Sequence, residues 1–161
     1  MSWLAIISFT VLFIYIFVSI IKNKGIPVSL SDTYYMWPKW VFPAIMWATG
    51  FTLLPCWLEI TAGNSLQFLS FLSCAGFIFV GCAPNFRNDK GEKKIHVIAA
   101  YTAAFAAMLS MAFVTGPWWF PFYCLILNLL MFYKSIKTKY IFLLEWSVIQ
   151  AVFCTIIHLL I

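Results

Sequence analysis

Six long apolar runs, separated by short polar connections, account for most of the chain. They cover residues 2–21, 40–60, 65–86, 95–116, 118–134 and 140–161. Each comes close to the roughly 20 residues that a helix needs to cross a bilayer. The runs are continuous rather than alternating, which predicts helices instead of barrel strands. The fifth is the shortest and opens at a corner of proline and aromatic residues. The connections are short, so consecutive helices are expected to be antiparallel neighbours. The pattern therefore predicts an all-α polytopic membrane protein, a single domain built as an antiparallel bundle of six transmembrane helices. The first run is expected to stay in the mature protein. No basic residue precedes it, and VSIIKNKG offers no small-residue cleavage site.

Composition supports lipid as the solvent. Hydrophobic residues make up 64% of the 161 positions and charged residues only 9%, where a water-soluble domain carries charge on about a quarter. The net charge of +5 matters less than its placement. All ten basic residues fall in or beside three connections: Lys22, Lys24 and Lys39; Arg87, Lys90, Lys93 and Lys94; Lys134, Lys137 and Lys139. The connections around 61–64 and 116–119 have none. Positive loops stay inside, so loops 22–39, 87–94 and 134–139 are expected in the cytoplasm of an inner membrane, with both termini outside. Anionic lipid head groups are the expected contacts of these loops, and nucleic acid is not. Residues 1–86 and 87–161 would then be three-span halves of opposite orientation, but no residue-level similarity marks them as a repeat.

With that orientation, several polar side chains fall toward the inner half. Ser31 and Asp32 lie in the first connection, and His96 opens helix 4. Glu145 lies about 7–8 Å, and Asn128 about 9 Å, from the inner ends of their helices. A carboxylate inside a span is costly and faces protein or water. Glu145 is expected to bond to Asn128, to reach Lys137 or Lys139, or to handle protons or substrate. On the outer side, Glu59 and His158 are at similar depth and form a candidate pair if their helices touch. Gln150, near mid-membrane, needs an interhelical partner.

Helix 4 spaces Ala99, Ala103 and Ala107 by four residues, and likewise His96, Ala100 and Ala104. Small residues at that spacing allow close helix contact, with Ser73, Gly76 and Gly81 of helix 3 as a matching surface. Helix 4 is expected to be the central helix, or the contact for a homo-oligomer or a membrane-protein partner. Tyr34, Tyr35, Trp37 and Trp40 are expected at the inner interface, and Trp57, Trp118 and Trp119 at the outer one.

Metal and cofactor chemistry finds little here, and none is expected. The two histidines fall on opposite faces, so neither one zinc nor one haem reaches both. The five cysteines sit in apolar runs without a CxxC, and no phosphate-binding glycine loop occurs. A Ser-His-Asp arrangement of Ser31, His96 and Asp32 is possible on the inner face.

The stretches PVSLSDTYY after helix 1, CAGFIFVGCAPNF ending helix 3 and IHVIAAY opening helix 4 resemble small bacterial multi-span membrane proteins, loosely the DRAM/Frag-type superfamily. The likeness covers roughly 27–104 and points to Ser31, Asp32, Tyr34 and His96, without implying an activity. Nothing comparable marks the last two helices.

Three functions are open at this level. The first is a non-enzymatic structural, assembly or lipid-interacting component. The second is a small transporter or channel with a polar pathway past Glu145, Asn128 and Gln150. The third is an intramembrane lipid-acting enzyme using Ser31, Asp32, His96 and Glu145. The orientation has a direct test in a cysteine-free background. Ala62→Cys should react with a membrane-impermeant maleimide in intact cells, and Asn88→Cys only after permeabilisation; the reverse pattern would invert the topology.

Overall fold

A computed structural model describes residues 2–116, 119–131 and 136–161. Trp118, Lys134 and the Lys137 side chain, used above for topology, lie outside the described residues. Every regular element among the described residues is helical. Its elements are α1 (Ser2–Lys22), a buried 3-10 turn (Ser31–Met36), α2 (Val41–Ile60), α3 (Phe68–Cys82), α4 (Lys90–Ser110), a π-helical continuation of α4 (Met111–Thr115), α5 (Phe120–Met131) and α6 (Ile136–Leu160). Among the described residues, four helices are long and apolar enough to cross a membrane: Trp3–Lys22, Val41–Ile60, Lys90–Thr115 and Lys139–Leu160.

The sequence placed helix 3 over 65–86, but α3 has only 15 residues. Pro84 explains its early end. It lacks an N–H and pushes the residue before it out of the helical region, and Ala83 indeed leaves the helix at φ −121°, ψ 59°. Helix 4 begins earlier than 95 because Asp89 caps it: its Oδ1 accepts from the Glu92 N–H at 2.8 Å. Helix α1 closes with the Gly25 N–H bonded to the Ile20 carbonyl at 3.0 Å. Gly25, at φ +148°, supplies a backbone conformation that side chains disfavour.

Consecutive helices pack together from α1 to α4, and α5 packs on α6. The expected α4–α5 neighbourhood is not a main contact of the bundle. Instead α6 returns to lie against α1, α2 and α4 as well. It is 56% buried along its span, against 33% for α4, so the central helix is α6, not α4.

The alanine stripe of α4 is used within the chain. A Cβ on Gly76 would lie 2.8 Å from both the Ala99 carbonyl oxygen and the Ala103 nitrogen, so α3 and α4 touch backbone to backbone. Ser73 donates to the Ala103 carbonyl at 2.9 Å, and the Ser70 and Ser110 hydroxyls bond at 2.9 Å. A partner on α4 would instead meet Tyr101 and Phe105, which are 74% and 65% exposed. Trp40 and Trp119 are exposed, as interfacial residues should be. Trp57 and Tyr34 are corrections: both are buried. Trp57 lies on the buried face of α2, and Tyr34 sits in the buried 3-10 turn with its ring edge-on to Phe42.

Gly76→Val should wedge α3 from α4. The expected loss is about 1–3 kcal/mol, read as a lower unfolding midpoint in detergent. An unchanged midpoint would disprove the close contact.

Candidate functional site

The connection between α1 and α2 does not lie outside the bundle; its 3-10 turn is inside it. Ser31 and Asp32 are 5% exposed and Thr33 is fully buried, so their polar groups need partners in the protein. Local bonds shape the turn. The Asp32 N–H reaches Ser29 Oγ at 3.2 Å, and Thr33 Oγ1 donates to the Leu30 carbonyl at 2.6 Å. Tyr15 of α1 donates its hydroxyl to Thr33 Oγ1 at 2.7 Å. The turn begins at Ser31 with Leu30 as its cap residue, and takes no cap from the side chain of Ser31 or Asp32. It ends where Trp37, extended at φ −119°, ψ 165°, precedes Pro38.

Two bonds fasten this segment to α6. The helical ladder of α6 breaks at Lys139 (φ −127°, ψ 16°), and the Phe142 N–H bonds to the Val28 carbonyl at 3.2 Å. One turn further on, Glu145 Oε2 accepts from the Leu30 N–H at 2.6 Å. Among the described residues the partner of Glu145 is thus a backbone amide, not Asn128 or Lys139; the expected contact with Lys137 lies outside them. Asn128 belongs to a separate knot between α5 and α6. Its Nδ2 has Gln150 Oε1 at 2.6 Å, the Cys124 carbonyl at 2.9 Å and Ser147 Oγ at 3.0 Å. Two amide protons are shared among those three acceptors. Gln150 therefore has the interhelical partner it required.

His96 is brought to Ser31, and Asp32 is not. His96 Nδ1 is 2.8 Å from the Ala83 carbonyl oxygen and Nε2 is 2.8 Å from Ser31 Oγ. A carbonyl can only accept, so in the neutral ring Nδ1 carries the proton. Nε2 then offers its lone pair, and the Ser31 hydroxyl donates to it. The ring stacks on Phe86, with centroids 4.5 Å apart. Asp32 turns away and pairs with Arg87 at 2.7 Å. Arg87 is held in place by its N–H to the Tyr35 hydroxyl at 2.9 Å, and its guanidinium lies 5.0 Å from that ring. Asp32 is thus tied to the start of the α3–α4 connection, not to His96.

The 3-10 turn separates two cavities. The inner one, of about 100 Å³, lies among α2, α3, α4 and α6. Leu30, Ser31 and Glu145 line one end of it and Trp57 and Ala107 the other, with mainly apolar side chains between. Its lining residues on α2 run from Phe42 to Trp57, about 22 Å along a helix, so the space is elongated. Trp57 is 1% exposed, and its indole N–H has no hydrogen-bond partner among the described residues. The second cavity, of about 180 Å³, lies at the basic end of the bundle and includes Asp32, Tyr35, Arg87, Asn23 and Lys139.

Ser31, Glu145 and His96 thus form one group around the buried turn, and Asn128 stands apart. Glu59 and His158 make no ion pair among the described residues; His158 faces the Phe120 ring edge-on at 6.1 Å. Sequence reasoning missed Arg87, Tyr15, Trp57 and the backbone groups of Val28, Leu30 and Ala83. Pro84 was the one available signal, since it frees the carbonyl that orients His96. No family model matches the chain, and neither a curated protein nor a solved structure does.

Removing the Glu145 acceptor should strand the Leu30 N–H. Glu145→Leu is expected to cost about 1–3 kcal/mol, whereas Glu145→Gln keeps an acceptor oxygen and most of the stability. Unfolding midpoints, together with faster hydrogen exchange at Leu30 in the leucine variant only, check this; equal effects would remove the clamp.

Proposed function

We propose that this chain is a lipid-interacting protein of an inner membrane that holds a single-chain amphiphile inside its helical bundle. In this reading α3 and α5 cross the bilayer together with the four longer helices, making six spans with both termini outside. The basic loops then rest on anionic head groups at the cytoplasmic surface, and the Ser31–Glu145 end of the cavity faces that side.

The observation that carries the reading is the elongated apolar cavity with one polar end. A bundle completed by its own side chains would not keep a cavity of about 100 Å³ beside a buried, unpaired indole N–H. The space is too narrow and too apolar for a hydrated solute pathway, and Gln150 and Asn128 bond to each other instead of lining it. A linear hydrocarbon chain suits its shape. Burying such a chain releases little free energy when it comes from lipid rather than water, so selection falls to the polar end. There the Glu145 carboxyl and the Ser31 oxygen are acceptors, which favours a head group carrying hydroxyls.

A long-chain monoalkylglycerol ether, which has such a head and no cleavable ester, is the probe. It should raise the unfolding midpoint of the detergent-solubilised wild type in a concentration-dependent way. Ala104→Phe, which fills the cavity from α4, should fold and lose at least about tenfold in affinity, or about 1.4 kcal/mol. Equal ligand stabilisation of both proteins would overturn the reading.

A further inference from the structure

We propose that Ser31 and His96 form a nucleophile–base pair that cleaves the ester of a long-chain monoacylglycerol bound in this cavity; the proposal rests on the binding reading above. Three observations meet at Ser31. It lines the polar end of the apolar cavity. Its hydroxyl is 2.8 Å from His96 Nε2, within reach for proton transfer. The Ala83 carbonyl, 2.8 Å from Nδ1, fixes the tautomer that leaves Nε2 basic. That carbonyl does for His96 what a carboxylate does in a three-residue triad, and its freedom to do so comes from Pro84.

A tail lying along the cavity brings the ester carbonyl, the first polar group of the molecule, to the polar end. Ser31 Oγ attacks the carbonyl carbon while its proton passes to His96 Nε2. The carbonyl double bond opens to an oxyanion. Collapse re-forms it and breaks the bond to the glycerol oxygen, which takes the proton from Nε2 and leaves as free glycerol. The acyl group stays on Ser31 until water attacks in the same way, again giving its proton to Nε2. The second collapse releases the fatty acid and returns the hydroxyl. Glu145, fixed to the neighbouring Leu30 amide, is the acceptor placed to hold a glycerol hydroxyl or the incoming water.

A burial-driven structural serine would share the hydrogen bond but not the reactivity. Full-length protein in detergent is therefore treated with a long-chain alkyl fluorophosphonate, and the adduct is located by mass spectrometry. Wild type should be labelled on Ser31, with protection by the monoalkylglycerol ether, and should release fatty acid from the matching monoacylglycerol ester. Ser31→Ala should lose both labelling and release. His96→Gln should slow labelling by at least about a hundredfold. Wild type that binds the ether yet is neither labelled at Ser31 nor cleaves the ester overturns this inference and leaves the binding reading standing. Wild type that does not bind the ether overturns both.

Discussion

A strand of backbone placed inside an apolar bundle must have every N–H and C=O satisfied by protein, and the segment between α1 and α2 is where this chain meets that demand. Its partners come from all sides. The broken first turn of α6 offers the Phe142 N–H to Val28, and Glu145 accepts from Leu30. Tyr15 reaches Thr33 from α1, His96 reaches Ser31 from α4, and Arg87 holds Asp32. The cost of an unmet buried amide, about 1–3 kcal/mol, makes each of these contacts a constraint on where a helix can stand. The buried turn is therefore less a loop than a keystone between α1, α4 and α6.

The same constraint explains why α4 works on two faces. Its Ala99–Ala103–Ala107 stripe lets α3 approach to backbone contact at Gly76. That approach sets the position of the connection carrying Ala83, Pro84 and Arg87. The second stripe, one residue on, places His96 against the turn and Ala100 and Ala104 beside the cavity. Methyl groups there leave space that larger side chains would close. Close α3–α4 packing and the open slot thus come from the same small residues, with Ala103 taking part in both.

Two proline effects and one helix break place the polar groups. Pro84 ends α3 and turns the Ala83 carbonyl toward His96; Pro38 ends the buried turn after Trp37. The Lys139 break exposes an α6 amide to Val28. At Ala83 and at the Lys139 break, backbone groups left outside the helical ladder bond to a neighbouring segment, as an apolar surrounding without hydrogen bonds of its own requires.

Helical class and the presence of helices long and apolar enough to cross a membrane were legible in the sequence because they follow from hydropathy, which adds up along the chain. The close α3–α4 contact was legible too, through spacing by four. Ser31, Asp32 and His96 could be grouped by depth, but not paired: depth does not say which side chain turns to which. Only the tertiary structure decided that His96 takes Ser31, that Asp32 takes Arg87, and that Glu145 holds a backbone amide. Those choices depend on directions set by a proline, a 3-10 turn and a helix break, and on α6 rather than α4 standing at the centre. Hydropathy reads how deep a residue lies, whereas hydrogen bonds depend on angles that only packed helices define.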